Sequence, residues 1–252
     1  MKTRFILLAA LIFSMNSLFA QNARFTFSGV IEFEKTINQH AALKKSLAGG
    51  SMLGGSFDDF KKSIPQFKIL KSTLTFSDNK TFFKPVAEEN SPGMFGPGGE
   101  QPNITYTDLN TNTFITEKTF FEETFLVKDS TRKIHWKLTS EMRTIAGYEC
   151  RRANAVIMDS VYVVAFYTDK IPVSGGPESF TGLPGMILGV ALPHDNTTWF
   201  AKTVTDKSIP AAEIKPPVKG KSTNNKGVLE ALTKLKSRWG NHMDSLIKMM
   251  LL

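Results

Sequence analysis

The residues of this chain that could do chemistry are few and scattered. Cys150 is the only cysteine among 252 residues, which excludes an intramolecular disulfide and favours a buried, inert thiol. No histidine has a second His or Cys at ligand spacing, so no metal site is predicted. Adjacent acidic residues such as Glu122 and Glu123 point to opposite faces of a strand and make poor acid–base pairs. The four histidines are His40, His135, His194 and His242.

The most distinctive motif consists of two short segments rich in glycine and proline, Gly175-Gly176-Pro177 and Gly182-Leu183-Pro184-Gly185. The second segment predicts a type II turn, because Pro184 fixes φ at the second position of the turn and Gly185 can adopt the positive φ of the third position. The alternative is a loop whose free N–H groups bind an anion or hold an oxyanion. Catalysis would also need a nucleophile and a base, and Ser174 and Ser179 have no identifiable partner. No catalytic residue and no cofactor are predicted, and the loop is interpreted as mainly structural.

The surroundings of this motif resemble a known family. Residues 166–188 read FYTDKIPVSGGPESFTGLPGMIL, preceded by Trp136-Lys137 and by Gly147-Tyr148-Glu149-Cys150. This layout resembles the GLPGLI family of exported Bacteroidota proteins, with Met186 where the family name has Leu. The resemblance covers most of residues 21–252 and implies export and architecture. The family's role is unassigned, so the resemblance implies no reaction.

The N-terminus predicts export. Lys2 and Arg4 form a positive end, residues 5–13 are apolar, and Ala20 offers a small residue at a cleavage site. We therefore expect residues 1–20 to be a signal peptide and 21–252 to be one β-rich domain in the periplasm, at the outer membrane, or secreted. No later stretch reaches the roughly 20 apolar residues of a membrane-spanning helix.

Positive charge is concentrated at the C-terminal end. The precursor carries +8, and residues 201–252 hold 10 basic and 4 acidic side chains, whereas 21–200 are balanced. Residues 228–250 have apolar side chains at three- and four-residue steps, which predicts an amphipathic helix. Lys234, Lys236 and Arg238 lie off the apolar stripe and are candidate surface contacts. The alternatives are a helix packed on its own sheet and one that makes peripheral membrane contact.

Short strands dominate the rest. Phe25, Phe27, Ile31 and Phe33 alternate with polar residues, and Val161–Tyr167 is apolar on both faces, as in a central strand. Helices are expected at 36–48 and 57–63, and flexible breaks at 49–55 and 91–99. Further strands are expected at 68–76, 81–85, 103–108, 112–117, 119–127, 133–138, 142–149, 151–158, 161–168, 186–191 and 197–205.

These patterns predict a mainly β fold, a curved antiparallel sheet or half-open barrel meander with a C-terminal amphipathic helix. The first functional hypothesis is a non-enzymatic binding or accessory protein beside outer-membrane components, such as an uptake receptor. The second is a periplasmic carrier of a lipid or other apolar ligand in a Phe-lined groove. The third is a hydrolase-type enzyme. Nucleic acid is not an expected partner, because no binding motif is present.

Overall fold

The structure is a computed structural model that describes residues 25–48, 57–86, 103–120, 123–239, 247–248 and 250–251. The predicted signal peptide at 1–20 and the expected breaks at 49–55 and 91–99 lie outside these residues. Within them, strands predominate, as the sequence predicts.

The strands are β1 (Gly29–Asn38), β2 (Phe67–Ser77), β3 (Lys80–Pro85), β4 (Ile104–Asp108), β5 (Thr113–Phe120), β6 (Glu123–Ser130), β7 (Lys137–Ile145), β8 (Tyr148–Ile157), β9 (Val161–Thr168), β10 (Met186–Leu192), β11 (Thr197–Asp206) and β12 (Lys221–Thr223). The helices are α1 (Gln39–Ala48), α2 (Phe57–Lys61) and α3 (Asn225–Trp239), with short 3-10 turns at Pro193–Asp195 and Ala211–Glu213.

All twelve strands form one open sheet in the order β12-β6-β5-β4-β3-β2-β1-β11-β10-β9-β8-β7. Neighbours are antiparallel, except that β12 pairs with β6 in parallel. The sheet curls at the β7 end, where Ile145 in β7 lies close to Gly189 in β10, three strands away. The mainly β, curved antiparallel prediction is confirmed, and the sheet does not close on itself.

Strand β1 confirms one part of its sequence pattern and corrects another. Ile31 and Phe33 are buried, as their alternation predicts. Phe25 and Phe27 precede the strand and are 46% and 65% exposed, so they do not extend the buried face. Gly29 lies against β11 so closely that a Cβ there would overlap the Thr205 carbonyl oxygen.

Several predicted boundaries were wrong. Strand β1 continues to Asn38, so the helix expected at 36–48 begins at Gln39. The expected strand 142–149 is interrupted by a turn at Ala146 and Gly147, both with positive φ. The expected strand 133–138 enters β7 only at Lys137, and β12 was not predicted. Positive φ at two consecutive residues gives a tight hairpin turn, which a continuous apolar–polar alternation does not reveal.

Two apolar cores cover different ends of the sheet. The first core joins strands β1–β3 and β7–β11 to the segment that leads into β10, and includes Phe33, Phe76 and Phe180. The second core joins β5 and β6 to α3 and the C-terminal residues, and includes Phe120, Phe125 and Leu232. The described phenylalanines at these positions pack inside closed cores and do not line a groove.

Helix α3 packs on the sheet. Val228 and Leu232 are buried against the second core, which agrees with the packing interpretation of the apolar stripe. The Asn224 Oδ1 caps the helix by accepting a hydrogen bond from Gly227 N–H at 2.9 Å. Among the described residues no helix is long and apolar enough to cross a membrane.

Candidate functional site

Among the residues that the structure describes, those with intrinsic reactivity are not brought together. Cys150 is fully buried in the first core, and burial raises the pKa of its thiol to about 12. The predicted inert cysteine is therefore supported by its surroundings. His194 and Asp195 lie in an exposed turn, where Asp195 pairs with Lys45 at 3.2 Å. No group of three potential metal ligands occurs in the part of the chain that the structure describes.

The glycine- and proline-rich segment 171–185 packs into the first core. Leu183 is 1% exposed, Gly182 N–H donates to Ser174 O at 3.2 Å, and Trp136 Nε1 donates to Thr181 O at 2.9 Å. Five N–H groups of the segment donate to carbonyl oxygens within it, those of Val173, Gly175, Phe180, Gly182 and Gly185. These five donors are therefore already used and are not free to bind an anion.

Gly185 has the predicted positive φ, but the turn differs from the predicted type. Its φ is 144°, and its N–H donates to Leu183 O at 2.8 Å, which closes a three-residue turn around Pro184. Met186 N–H bonds to Ile171 O, so the four-residue type II hydrogen bond is not made. A Cβ at 185 would overlap the Thr168 carbonyl oxygen. The close neighbouring strand requires glycine at 185.

Gly182, Gly175 and Gly176 each have a separate role. Gly182 has φ 91°, a conformation that the turn rules did not predict, and faces the Trp136 indole. A Cβ at 175 would lie 2.6 Å from Thr81 Cγ2, and one at 176 would lie 2.8 Å from Ile187 Cβ. These glycines permit close packing, and Pro177 follows them with its carbonyl bonded to Phe180 N–H at 3.2 Å.

The same segment carries a charged side chain into the interior. Glu178 is 9% exposed and has φ 53°, a backbone conformation that glutamate rarely adopts. Its Oε2 accepts a hydrogen bond from Asn103 Nδ2 at 3.2 Å. Strain of this kind persists only where the surroundings enforce it, and it concentrates at functional sites.

Lys118 in β5 is the opposite charge beside Glu178. It is 8% exposed, and its Nζ donates to Met250 O at 2.9 Å. Burial lowers the pKa of Lys118 to about 8, although Glu178 acts in the other direction and Arg132 adds to the decrease. Burial also lowers the pKa of Arg132, whose Nη2 donates to Leu251 O at 2.8 Å. Two partly desolvated cations thus hold the C-terminal residues.

We call Asn103, Lys118, Arg132, Glu178 and the surrounding threonines the polar cluster. It encloses a cavity of about 30 Å³, which suits a water molecule or two and is too small for a substrate. The Asn103 Oδ1 is buried without a hydrogen-bond partner among the described residues. A bound water would satisfy it. The threonines are Thr105, Thr107, Thr116 and Thr131.

A larger, open cleft lies where β7 curls over β11 and β1. It has a volume of about 430 Å³, within the roughly 300–1,000 Å³ of small-ligand sites. We call it the Arg143 cleft. It is lined by Glu34, Thr36, Arg143, Thr144, Ile145, Ala146, Phe200, Ala201 and Lys202.

Two phenylalanine rings lie beneath the Arg143 guanidinium in this cleft. Its guanidinium carbon lies 4.6 Å from the Phe200 ring centre and 5.6 Å from that of Phe166. The Phe200 ring can occupy this place because Gly189 has no side chain, and a Cβ there would lie 2.6 Å from the ring. Gly189 also faces Ile145, so one glycine admits both the ring and the overhanging strand.

The remaining charges of the cleft are paired. Lys202 Nζ lies 3.4 Å from Glu34 Oε2. Arg143 has no carboxylate partner among the described residues, and its contacts there are with the two rings. The cleft therefore carries one uncompensated positive charge, which can bind an anionic group.

The predicted surface contacts at the basic end are only partly visible. Lys234 is exposed on α3. The side chains of Lys236 and Arg238 lie outside the described residues. Whether these three residues contact a partner or a membrane surface stays a prediction.

Sequence reasoning missed both cavities. Lys118 shares the strand parity of Phe114 and Phe120, so the period-two pattern of β5 could have placed it inward. Arg143 shares the parity of the buried Ile145 in the same way. Their partners come from distant strands, and no local signal identifies those.

Comparisons with known proteins bear on fold more than on activity. A family model described as "Protein of unknown function (Porph_ging)" matches residues 155–189, which include segment 171–185 and end at Gly189. No curated protein matches the chain.

Solved structures of PNGF-II are similar in fold. One, in a C2 crystal form, has a TM-score of 0.50 and 13% identity, covering 89% of this chain and 32% of that one. Another, in a P21 crystal form, has a TM-score of 0.48 and 15% identity, covering 78% and 32%. The chain thus spans about a third of the length of PNGF-II. It resembles PNGF-II in fold, and a short region of it matches a family of unknown function.

Proposed function

We propose that the chain is an exported, non-enzymatic binding protein of the cell envelope that holds a small polar ligand in the Arg143 cleft and acts beside outer-membrane components. The observation that carries the proposal is the cleft itself, which combines ligand-sized volume, an aromatic-stacked arginine and an opening to solvent. Its walls come from three non-consecutive strands of a rigid sheet, which suits a preformed site.

The cleft favours a polar ligand over an apolar one. The phenylalanine that lines it, Phe200, has its ring covered by the Arg143 guanidinium. Phe33, Phe76 and Phe180 are fully buried in the first core and line neither of the two cavities. The carrier hypothesis for an apolar ligand therefore has less support than the binding hypothesis.

The polar cluster is a weaker candidate for the ligand site. Its cavity is about one-fourteenth of the cleft in volume, and its two cations already bind main-chain carbonyl groups. We interpret the cluster as a structural junction between the two cores.

Fragment binding followed by NMR tests the proposal. Isotope-labelled residues 21–252 are titrated with a set of small neutral and charged aromatic fragments, benzamide and benzoate among them. We expect saturable shift changes that cluster at the amides of Arg143, Ala146 and Phe200. Saturable binding elsewhere, or none to any fragment, would contradict the proposal.

Export is tested separately by mass. Expression of the full chain in a native-type host should yield a protein that begins at Gln21. Soluble protein that retains Met1–Ala20 would show that the predicted signal peptide is not cleaved.

A further inference from the structure

We infer that the ligand of the Arg143 cleft carries a carboxylate, which the guanidinium of Arg143 binds through its paired N–H groups. The inference rests on the proposed function and adds the chemical class of the ligand. It starts from the one charge in the cleft that lacks a counter-charge.

The aromatic contacts leave the N–H donors of Arg143 available. The guanidinium carbon lies over both phenylalanine rings, 4.6 Å from the centre of the Phe200 ring and 5.6 Å from that of Phe166. A contact with a ring uses no oxygen acceptor, and the Arg143 side chain makes no hydrogen bond with a described residue, so its donors can still bind a ligand. A carboxylate fits two of these donors at once, and such a bidentate pair is stronger than a neutral hydrogen bond.

The charges of the walls favour a single negative charge on the ligand. Glu34 and Lys202 compensate each other, which leaves a net charge of +1 from Arg143. A carboxylate neutralises that charge. A phosphate monoester carries nearly two negative charges at neutral pH, and the second would meet the Glu34 carboxylate in the same cleft.

The strand around Arg143 is built to hold its position. Arg143 lies directly opposite Cys150 in the β7–β8 register, and its neighbour Ile145 is buried against Gly189. The turn that follows holds Ala146 at φ 49°, a conformation that is uncommon and strained for alanine. The backbone of Arg143 is therefore anchored between strand pairing and a tight hairpin turn, and an anchored backbone lowers the cost of ordering the donor on binding.

The test compares three probes of matched shape on residues 21–252: benzoate, benzamide and phenyl phosphate. Benzamide replaces the carboxylate by a neutral group of similar size, and phenyl phosphate supplies the doubly charged alternative. Binding is measured by NMR titration at constant ionic strength. We expect benzoate to bind about 10-fold more tightly than benzamide and more tightly than phenyl phosphate.

Three variants distinguish the paired hydrogen bonds of the guanidinium from a general effect of positive charge. Arg143→Met should weaken benzoate binding about 10-fold, and Arg143→Lys should weaken it by a smaller factor, because lysine keeps the charge without the fork. Lys137→Met removes one positive charge from the same strand, outside the cleft lining, and should leave benzoate binding unchanged. Thermal melts of all three variants confirm folding.

The outcomes distinguish this inference from the proposed function. If benzoate and benzamide bind equally well in the cleft and Arg143→Met changes neither affinity, the inference of a carboxylate ligand is overturned. The proposed function as a binding protein would still stand. Preference for phenyl phosphate would overturn the charge argument. Absence of binding by all three probes and by the neutral fragments would overturn the proposed function itself.

Discussion

The two cores of this protein are covered by different kinds of element. The first core is closed by the irregular segment 171–185, which depends on close backbone packing. The second core is closed by α3 and the C-terminal residues, which supply apolar side chains at helical spacing. An irregular cover needs particular residues at particular φ values, whereas a helical cover needs only periodicity.

This difference explains why the glycine-rich motif stands out in the sequence. Gly182 and Gly185 have positive φ, and Gly175 and Gly176 sit where a side chain would collide with a neighbour. The motif is a packing signature of the first core. The polar cluster lies at the junction, with Glu178 from one cover and contacts to Leu251 from the other.

The largest expected effect is at Gly185. Gly185→Ala combines an unfavourable φ with overlap against the Thr168 carbonyl oxygen, so we expect the free energy of unfolding to fall by about 4 kcal/mol. Gly182→Ala has the φ penalty, but its Cβ would meet the Trp136 indole at an ordinary van der Waals distance, 3.7 Å from Nε1, and it should cost about 1–2 kcal/mol. Urea denaturation of both variants measures the difference. Equal costs would mean that close packing is not what requires glycine at 185.

The helical cover should respond to burial alone. Leu232→Ala removes a fully buried side chain from the second core and should cost about 3 kcal/mol. Leu229→Ala, on the same helix with its side chain 44% exposed, is the matched control and should cost less than about 1 kcal/mol. Denaturant melts decide this. Similar costs for the two variants would contradict the packing of α3 on the sheet.

Lys118 in the polar cluster should make the free energy of unfolding depend on pH in the alkaline range. The pKa of Lys118 falls from 10.5 unfolded to about 8 folded, so the unfolded state binds more protons between these values. The neutral form of Lys118 fits the buried site better than the charged form. Its stabilising contribution is therefore present in full above pH 10.5, and it is lost as the pH falls through 8 and the folded protein takes up the proton. Because Lys118 is almost fully buried, we expect a gain of about 2 kcal/mol across this window.

Cys150 acts in the opposite direction at higher pH. Its pKa rises from 9.0 to about 12, so its contribution is complete below pH 9 and is lost as the pH rises through 12. The comparison of the wild type with Lys118→Met between pH 8 and 10.5 isolates the lysine. If the free energy of unfolding changes with pH by the same amount in the two proteins, the pH dependence does not come from Lys118.

The sequence predicted local features and missed those that depend on distant contacts. The alternation in β1, the central strand at Val161–Thr168 and the positive φ at Gly185 are local, and all three are present. The actual turn type at Pro184 depends on Met186 bonding to Ile171, outside the turn. No rule based on four consecutive residues includes that partner.

The two cavities show the same division. Strand parity is enough to place Lys118 inward beside Phe114 and Phe120. Only the tertiary fold shows that Glu178, sixty residues later in the chain, meets it. The Arg143 cleft lies where β7 curls over β11 and β1, and Gly189 on β10 leaves room there for the side chains of Phe200 and Ile145, a role with no local signature.

The smallest expected effects concern two hairpin turns, of which one lies beside the Arg143 cleft and the other does not. Ala146 in the β7–β8 turn and Asn112 in the β4–β5 turn both have positive φ, at 49° and 54°. Alanine is strained in this region, whereas the short polar side chain of asparagine makes it more tolerant. Ala146→Gly should therefore raise the free energy of unfolding by about 0.5–1 kcal/mol, and Asn112→Gly should change it by about 0.3 kcal/mol or less.

Because glycine also gains freedom in the unfolded chain, the difference between the two variants is more informative than either value. Urea denaturation under identical conditions measures that difference. A larger gain at Asn112 than at Ala146 would show that the turn beside the Arg143 cleft is relaxed, and would remove the argument that a strained hairpin presents Arg143.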